Sequence, residues 1–102
     1  MYPYQLNSLE EYRRAYQKSV QQPEEFWAEI AENFQWKKKW DKVLDWNFTE
    51  PSIQWFKGGT LNITENCLDR HLADKGNQAA LIWESNNPSE PSVTFSYKEL
   101  HA

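Results

Sequence analysis

The chain of 102 residues contains one cysteine, three glycines and no long hydrophobic run. Cys67 has no partner within the chain, which excludes an internal disulfide and fits a reducing compartment. No apolar stretch approaches the roughly 20 residues needed to cross a bilayer. The start of the chain, from Met1 to Leu6, has neither the basic nor the apolar segment of a secretory signal. We therefore expect a cytoplasmic protein without a membrane partner.

Positive charge is also scarce, because 11 Lys and Arg stand against 15 Asp and Glu and the formal net charge is −4. General nucleic-acid binding depends on Lys and Arg at phosphates, so we expect no nucleic-acid partner. Aromatic residues, by contrast, make up 16% of the chain and include six Trp. Since aromatic side chains bury large areas, the chain has either a dense core or an apolar surface that meets a partner.

Two segments of the first half have the apolar spacing of helices. Ser8 with Glu11 has the form of a capping box, and the pattern behind it predicts a helix over residues 9–20. Pro23 and the two acids that follow suit the first turn of a second helix, predicted over residues 23–34. The first seven residues show no period, and we expect them to fray.

The aromatic-rich stretch after residue 35 has no clean period of 2 or 3.6. We predict an extended, irregular segment, ended by a turn at Gly58 and Gly59. The composition changes at this turn, because Trp is abundant before it and scarce after it.

A helix, a hairpin and the start of another helix are predicted beyond the turn. Thr64 caps the predicted third helix, which runs to about residue 75, with Gly76 as its left-handed C′ residue. Residues 79–83 form a short apolar run typical of a buried strand, and it pairs with residues 93–95 in a hairpin. Ser96 is the N-cap of a last helix. Barely one turn follows this cap, which predicts that the natural sequence continues. The fold class is α+β.

Four groups of residues could carry chemistry. Cys67 and His71, four residues apart, could bind a metal or pair a thiol with a base, but both are expected to pack on the apolar face of the third helix. Asp69, Arg70 and His71 are neighbours that do not face one another on a helix, so they predict no catalytic triad. We expect Asp69 and Arg70 to face solvent or to pair elsewhere.

The other two groups lie before residue 60. The run from Lys37 to Lys39 between Trp36 and Trp40 could hold a polyanion, although a solvated basic turn fits the acidic chain better. Gly58 and Gly59 could approach a phosphate, but a phosphate loop needs a helix directly behind it.

Five separated runs together resemble the N-terminal region of the acetyl-CoA synthetase family. The two most specific runs are WFKGGTLN at residues 55–62 and NCLDRHL at residues 66–72. Three more agree in order, at residues 23–27, 80–84 and 96–101, so the resemblance covers residues 12–102. The family usually has Gly-Asp where Ser85 and Asn86 stand, and Ile-Thr-Tyr where Phe95-Ser96-Tyr97 stands. Both departures affect the turn geometry of the hairpin.

The resemblance implies an adenylate-forming ligase that uses acetate, ATP, Mg²⁺ and CoA. Residues 1–60 would be its N-terminal extension, and residues 61–102 the start of its AMP-binding, adenylating domain. The family's catalytic, nucleotide-binding and metal-binding residues would all lie beyond residue 102, so none is assigned here. The chain itself would be inactive and would dock on the rest of the enzyme. In isolation its exposed faces should make it self-associate. The alternative is a free-standing, aromatic-rich binding module.

Overall fold

The computed structural model describes residues 5–102. They fall into two compact units, the first ending at Thr60 and the second beginning at Leu61. Helices and small antiparallel sheets occur together, which confirms the α+β class. Residues 5–7 have no regular structure, whereas residues 1–4, part of the segment expected to fray, lie outside the described range.

Two helices open the first unit, α1 (Leu9–Gln21) and α2 (Pro23–Ala31). The hydroxyl of Ser8 accepts the N–H of Glu11 at 3.1 Å, as predicted, but the Glu11 carboxylate accepts the N–H of Asn7 instead of closing a capping box. The second helix ends three residues earlier than predicted. The side-chain amide of Asn33 donates to the carbonyls of Glu29 and Ile30, which competes with the continuation of the helix.

The stretch predicted to be extended and irregular is indeed extended, but it contains a regular antiparallel hairpin, so the prediction of irregularity was wrong. Strand β1 (Trp36–Lys38) is followed by β2 (Lys42–Asn47) and β3 (Ser52–Lys57), and β2 pairs with β3. The amide oxygen of Asn47 accepts the N–H groups of Thr49 at 2.9 Å and Glu50 at 3.3 Å, which forms the connecting turn. The sequence shows no alternation of apolar and polar residues here, because both faces of the hairpin carry apolar side chains.

The predicted turn at Gly58 and Gly59 is confirmed, and each glycine has its own physical reason. Gly58 has φ +78°, a left-handed conformation that glycine adopts without strain. A Cβ on Gly59 would lie 2.8 Å from the ring of Trp36, so the close approach of that ring requires glycine. Strand β4 (Thr60–Leu61) follows and pairs with β1.

The predicted third helix of the second unit is broken into three pieces. They are α3 (Ile63–Cys67), a 3₁₀ turn at Asp69–His71 and α4 (Leu72–Lys75). The cap is Asn62 rather than Thr64, because the Asn62 amide oxygen accepts the N–H of Thr64 at 3.0 Å.

Gly76 is right-handed, with φ −51°, so the left-handed C′ prediction was wrong. Position 76 requires glycine because there is no space for a side chain. A Cβ there would lie 2.6 Å from the carbonyl oxygen of Leu72 and 2.8 Å from Cε of Lys98.

The second hairpin is confirmed, with β5 (Ala79–Trp83) antiparallel to β6 (Val93–Ser96) and a bulge between Ala79 and Leu81. Helix α5 (Tyr97–His101) begins at the predicted cap, Ser96. Ser96 and Glu99 form a complete capping box. The expectation that β5 is buried does not hold in this chain, because Leu81, Ile82 and Trp83 are 44–64% exposed.

Burial is slight throughout residues 5–102. The buried apolar side chains are those of Ala31 and Val43, and Asn66 is the buried polar residue. Of the two alternatives that the aromatic content left open, the exposed apolar surface therefore describes this chain. No helix in the described range is long and apolar enough to cross a membrane.

Candidate functional site

Three aromatic rings form the centre of the first unit, which we call the aromatic cluster: Trp36, Trp40 and Phe56. Their centroids are 5.0–5.4 Å apart in tilted and edge-to-face arrangements. The indole N–H of Trp36 donates to the carbonyl oxygen of Ala31 at 2.8 Å, which ties the cluster to the end of α2. All three residues are half-buried. The cluster therefore acts as a small core of the first unit. Its ring distances and angles are those of favourable aromatic pairs.

The lysine run beside this cluster is balanced by carboxylates. Lys39 pairs with Glu32, and its ammonium lies 5.0 Å from the centroid of the Trp40 ring. The ammonium of Lys38 lies 3.6 Å from a carboxylate oxygen of Asp41. Exposed pairs of this kind contribute little stability. They do, however, neutralise positive charge at the place where a polyanion would need it, which favours a solvated basic run. The expectation of a turn was wrong, because Lys37 and Lys38 lie on β1.

Two further charge clusters connect elements of the first unit. The carboxylate of Asp45 lies 2.7 Å from the ammonium of Lys57 and 3.0 Å from that of Lys42. Hydrogen bonds from Lys57 and then Lys42 lower the pKa of Asp45 below its usual value. Between the helices, Lys18 pairs with Glu29 at 2.6 Å and Glu25 at 3.1 Å, and these bonds raise the pKa of Lys18.

Cys67 and His71 were considered as a pair that could bind a metal or join a thiol to a base. The break in the helix places them on two different helical pieces. Cys67 is exposed, so the expectation that it packs in a core was wrong. The ring of His71 lies 5.5 Å from that of Tyr97, in a structural contact. Within residues 5–102, no group of three His, Cys, Asp or Glu residues is placed to hold a metal ion.

Asp69 and Arg70 pair with other residues, as expected. The carboxylate of Asp69 lies 3.3 Å from Nε2 of His101. The guanidinium of Arg70 donates to the amide oxygen of the buried Asn66 at 3.3 Å. Both contacts lie inside the second unit, where they join α3, the 3₁₀ turn and α5.

What the first unit offers to a partner is apolar surface. One open groove of about 380 Å³ is lined by Trp27, Trp55 and Phe56. The rings of Trp27 and Trp55 are 6.2 Å apart. Exposed aromatic surface of this kind marks an interaction site more often than an isolated exposed residue does.

A second apolar surface lies at the turn end of β2 and β3, and sequence reasoning missed it. Trp46 and Ile53 are opposite each other in the hairpin, and the exposed fractions of Trp46, Phe48 and Ile53 are 61%, 86% and 65%. They line a groove of about 260 Å³ together with Asn47, Pro51 and Ser52. The turn chemistry between Asn47 and Pro51 was the available signal, because it fixes which residues face each other.

A third surface is the apolar stripe of α1. Its members recur at helical spacing and are 52–63% exposed: Leu9, Tyr12, Tyr16 and Val20. The rings of Tyr12 and Tyr16 are stacked, with centroids 6.3 Å apart. A 13-residue helix is marginal alone in water, so an exposed stripe of this kind is surface on which another element can pack.

These features define an α+β region with exposed apolar surfaces. Residues 12–67 match the family described as acetyl-coenzyme A synthetase N-terminus. The chain belongs to this family.

Acetyl-coenzyme A synthetases of three bacteria are close in sequence to the chain. It is 52% identical over 91 residues to that of Bdellovibrio bacteriovorus, 50% over 95 residues to that of Leptospira biflexa, and 48% over 98 residues to that of Yersinia pestis. These alignments cover 88%, 92% and 94% of this chain. They cover only 14–15% of the relatives, so the chain corresponds to their N-terminal region alone.

Proposed function

We propose that this chain is the N-terminal part of an AMP-forming acetate–CoA ligase and that its own role is structural. The observation that carries the proposal is the identity of about half of all aligned residues with acetyl-coenzyme A synthetases. The whole enzyme joins acetate to ATP, which forms acetyl-adenylate and releases pyrophosphate. The thiol of CoA then attacks the acetyl carbonyl, and AMP leaves. A cytoplasmic location belongs to the same proposal.

The proposal assigns no substrate or Mg²⁺ ligand to residues 1–102. Magnesium binding needs a set of oxygen ligands, and several described carboxylates of the first unit are engaged by lysines, as at Asp45 and Glu29. Residues 1–60 then form an N-terminal extension, and residues 61–102 begin the AMP-binding domain. The division of the chain into two compact units after Thr60 supports this boundary.

The role that the proposal assigns to the chain is docking on the remainder of the enzyme. The three apolar surfaces described above, on α1, around Trp27 and Trp55, and at the end of the first hairpin, are the candidate contacts. Each buried Å² of apolar surface stabilises by about 25 cal/mol, so covering several exposed aromatic side chains would contribute appreciably to the stability of the whole enzyme.

The test compares the isolated chain with the complete protein in acetate- and CoA-dependent formation of AMP and pyrophosphate. We expect turnover by the complete protein and none by the isolated chain. The variant Cys67→Ser of the complete protein is the control, because an exposed thiol outside the chemistry should be dispensable. Turnover by the isolated chain, or its complete loss in this variant, would contradict the structural role.

The groove lined by Trp27, Trp55 and Phe56 favours one alternative, a free-standing binding module. Such a module would bind its ligand without the remaining enzyme. Trp fluorescence titrations of the isolated chain with sugars and with apolar peptides test this. Saturable binding that Trp55→Ala removes would favour the module over the ligase part.

A further inference from the structure

The second hairpin, β5 with β6, has more apolar surface than a two-stranded sheet can bury. Leu81 and Trp83 face Phe95 and Val93 across the hairpin, and all four are 40–47% exposed. Ile82 lies on the opposite face and is 64% exposed. A two-stranded hairpin is at best marginally stable in water, and a strand that is apolar on both faces is typical of the interior of a larger sheet.

The two strands differ in their pattern of apolar residues, and the difference indicates which edge of the hairpin a further strand would cover. Along β5 the run from Ala79 to Trp83 is continuously apolar, as expected for a strand covered on both faces. Along β6, Val93 and Phe95 alternate with Thr94 and Ser96, as expected for a strand covered on one face only. Ile82 and Thr94 are direct partners on the same face, so the apolar character of that face stops at β6.

The backbone of β5 leaves its outer edge available for this pairing. In an antiparallel pair, alternate residues direct their N–H and C=O groups away from the partner strand. In the part of the chain that the structure describes, β5 and β6 form a sheet of two strands, so the outer edge of β5 has no strand beside it. An apolar edge strand left in this state is a site for pairing with a further strand.

We infer that the outer edge of β5 pairs with a strand from the polypeptide that follows Ala102, so that β5 is an interior strand and β6 remains the edge. This rests on the proposed function, because the chain corresponds to 14–15% of the length of acetyl-coenzyme A synthetases and the strand belongs to the remaining part. A second copy of the chain is the rival occupant, and the dilution experiment below distinguishes it from a strand of the same chain.

Amide hydrogen exchange on the complete protein tests the inference, with the isolated chain as reference. In the complete protein we expect the outward-facing amides of β5 to exchange at least about tenfold more slowly than in the isolated chain, as for hydrogen bonds that open only with the sheet. The outward-facing amides of β6 should exchange alike in both. Equal exchange of β5 in the two proteins, or new protection of β6 instead, would overturn the inference.

Dilution distinguishes a strand of the same chain from a second copy as the occupant of the β5 edge. Protection of β5 that is unchanged over a wide range of protein concentration supports a strand of the same chain. Protection that disappears on dilution assigns the edge to a second copy and overturns the inference.

A matched pair of variants gives a second readout. In the complete protein, Ile82→Lys should lower the thermal unfolding midpoint by several degrees, whereas Thr94→Lys, at the opposing position on β6, should leave it nearly unchanged. In the isolated chain both positions are exposed, so both variants should be tolerated. Equal tolerance of the two lysines in the complete protein would contradict an interior β5.

Activity in the same preparation separates this inference from the proposed function. AMP formation by a protein whose β5 amides are unprotected would overturn the strand pairing alone. Absence of acetate- and CoA-dependent turnover would overturn the ligase assignment.

Discussion

Single residues hold the first unit together where burial is slight. Trp36 is the main example, because its ring contacts Trp40 and Phe56 while its indole N–H donates to Ala31. Gly59 is needed to let this ring approach the backbone. The sequence showed that Trp was abundant, but the contacts of Trp36 depend on the fold of the hairpin, which local patterns did not reveal.

Replacing Trp36 by Phe keeps an aromatic ring and removes the indole N–H. We expect a loss of about 1 kcal/mol in the free energy of unfolding, the usual net value of one hydrogen bond, plus a smaller loss of ring contact. Urea unfolding followed by near-ultraviolet circular dichroism measures it. The control is Trp46→Phe at an exposed site, expected to change stability by less than about 0.5 kcal/mol. Equal effects of the two variants would contradict the role of the Trp36 bond.

Asp45 should show the electrostatic effect of its two lysine partners. Its pKa is lowered in the folded chain, chiefly by Lys57. A lowered folded pKa means that the stabilisation is present above the ordinary carboxyl pKa and is lost as the pH falls through the lowered value. A carboxyl NMR titration should therefore place the Asp45 midpoint below that of an ordinary aspartate.

The variant Lys57→Gln tests the cause of this shift. It should move the Asp45 midpoint back toward the ordinary value, because it removes the largest of the causes. Lys75→Gln, in α4 of the second unit, is the matched control and should leave the midpoint in place. A midpoint that does not respond to Lys57→Gln would show that this ion pair is not formed in solution.

At the scale of elements, local chemistry predicted where helices begin better than where they end. Ser8, Pro23 and Ser96 each mark a helix start in the structure as they did in the sequence. Helix ends depended on side chains that compete for backbone groups, as Asn33 does at the end of α2. The second hairpin was predictable because turn residues separate its two apolar runs.

The β2–β3 hairpin was not predictable from periodicity, and neither was the apolar surface at its turn end. Trp46 and Ile53 meet only through the register of the hairpin, which is set by the turn at Asn47. The start of α3 was also misplaced, because Asn62 caps this helix two residues before the predicted cap, Thr64. The miss at the hairpin concerns contacts between residues that sequence spacing alone does not place together.

The capping box of α5 offers an element-scale prediction. Ser96→Ala removes the hydroxyl that accepts the N–H of Glu99 and should cost about 1 kcal/mol of local helix stability. Exchange of the Ala102 amide, which donates to the carbonyl of Lys98, reports this local opening. Ser92→Ala, in the loop between β5 and β6, is the control. Unchanged exchange in Ser96→Ala would show that packing rather than the cap holds α5.

At the scale of the whole molecule, exposed apolar surface is the dominant property. Only Ala31 and Val43 are buried apolar residues in the range 5–102, whereas residues as large as Trp46 and Phe48 are mostly exposed. Monomeric proteins rarely expose contiguous apolar patches of more than a few hundred Å². The isolated chain should therefore self-associate, and its association should weaken when one of these patches is made polar.

Sedimentation velocity over a range of concentrations tests this, because a weight-average mass that rises with concentration shows association. The double variant Phe48→Ser with Ile53→Thr makes the first hairpin polar at its turn end while keeping a β-branched residue in the strand. We expect it to shift association to higher concentration. The matched variant Thr49→Ser with Ser52→Thr changes the same turn without changing its polarity, and should associate like the original chain. A clean monomer at high concentration would mean that these apolar surfaces fold onto one another in solution, and the docking role proposed for them would then lose its structural basis.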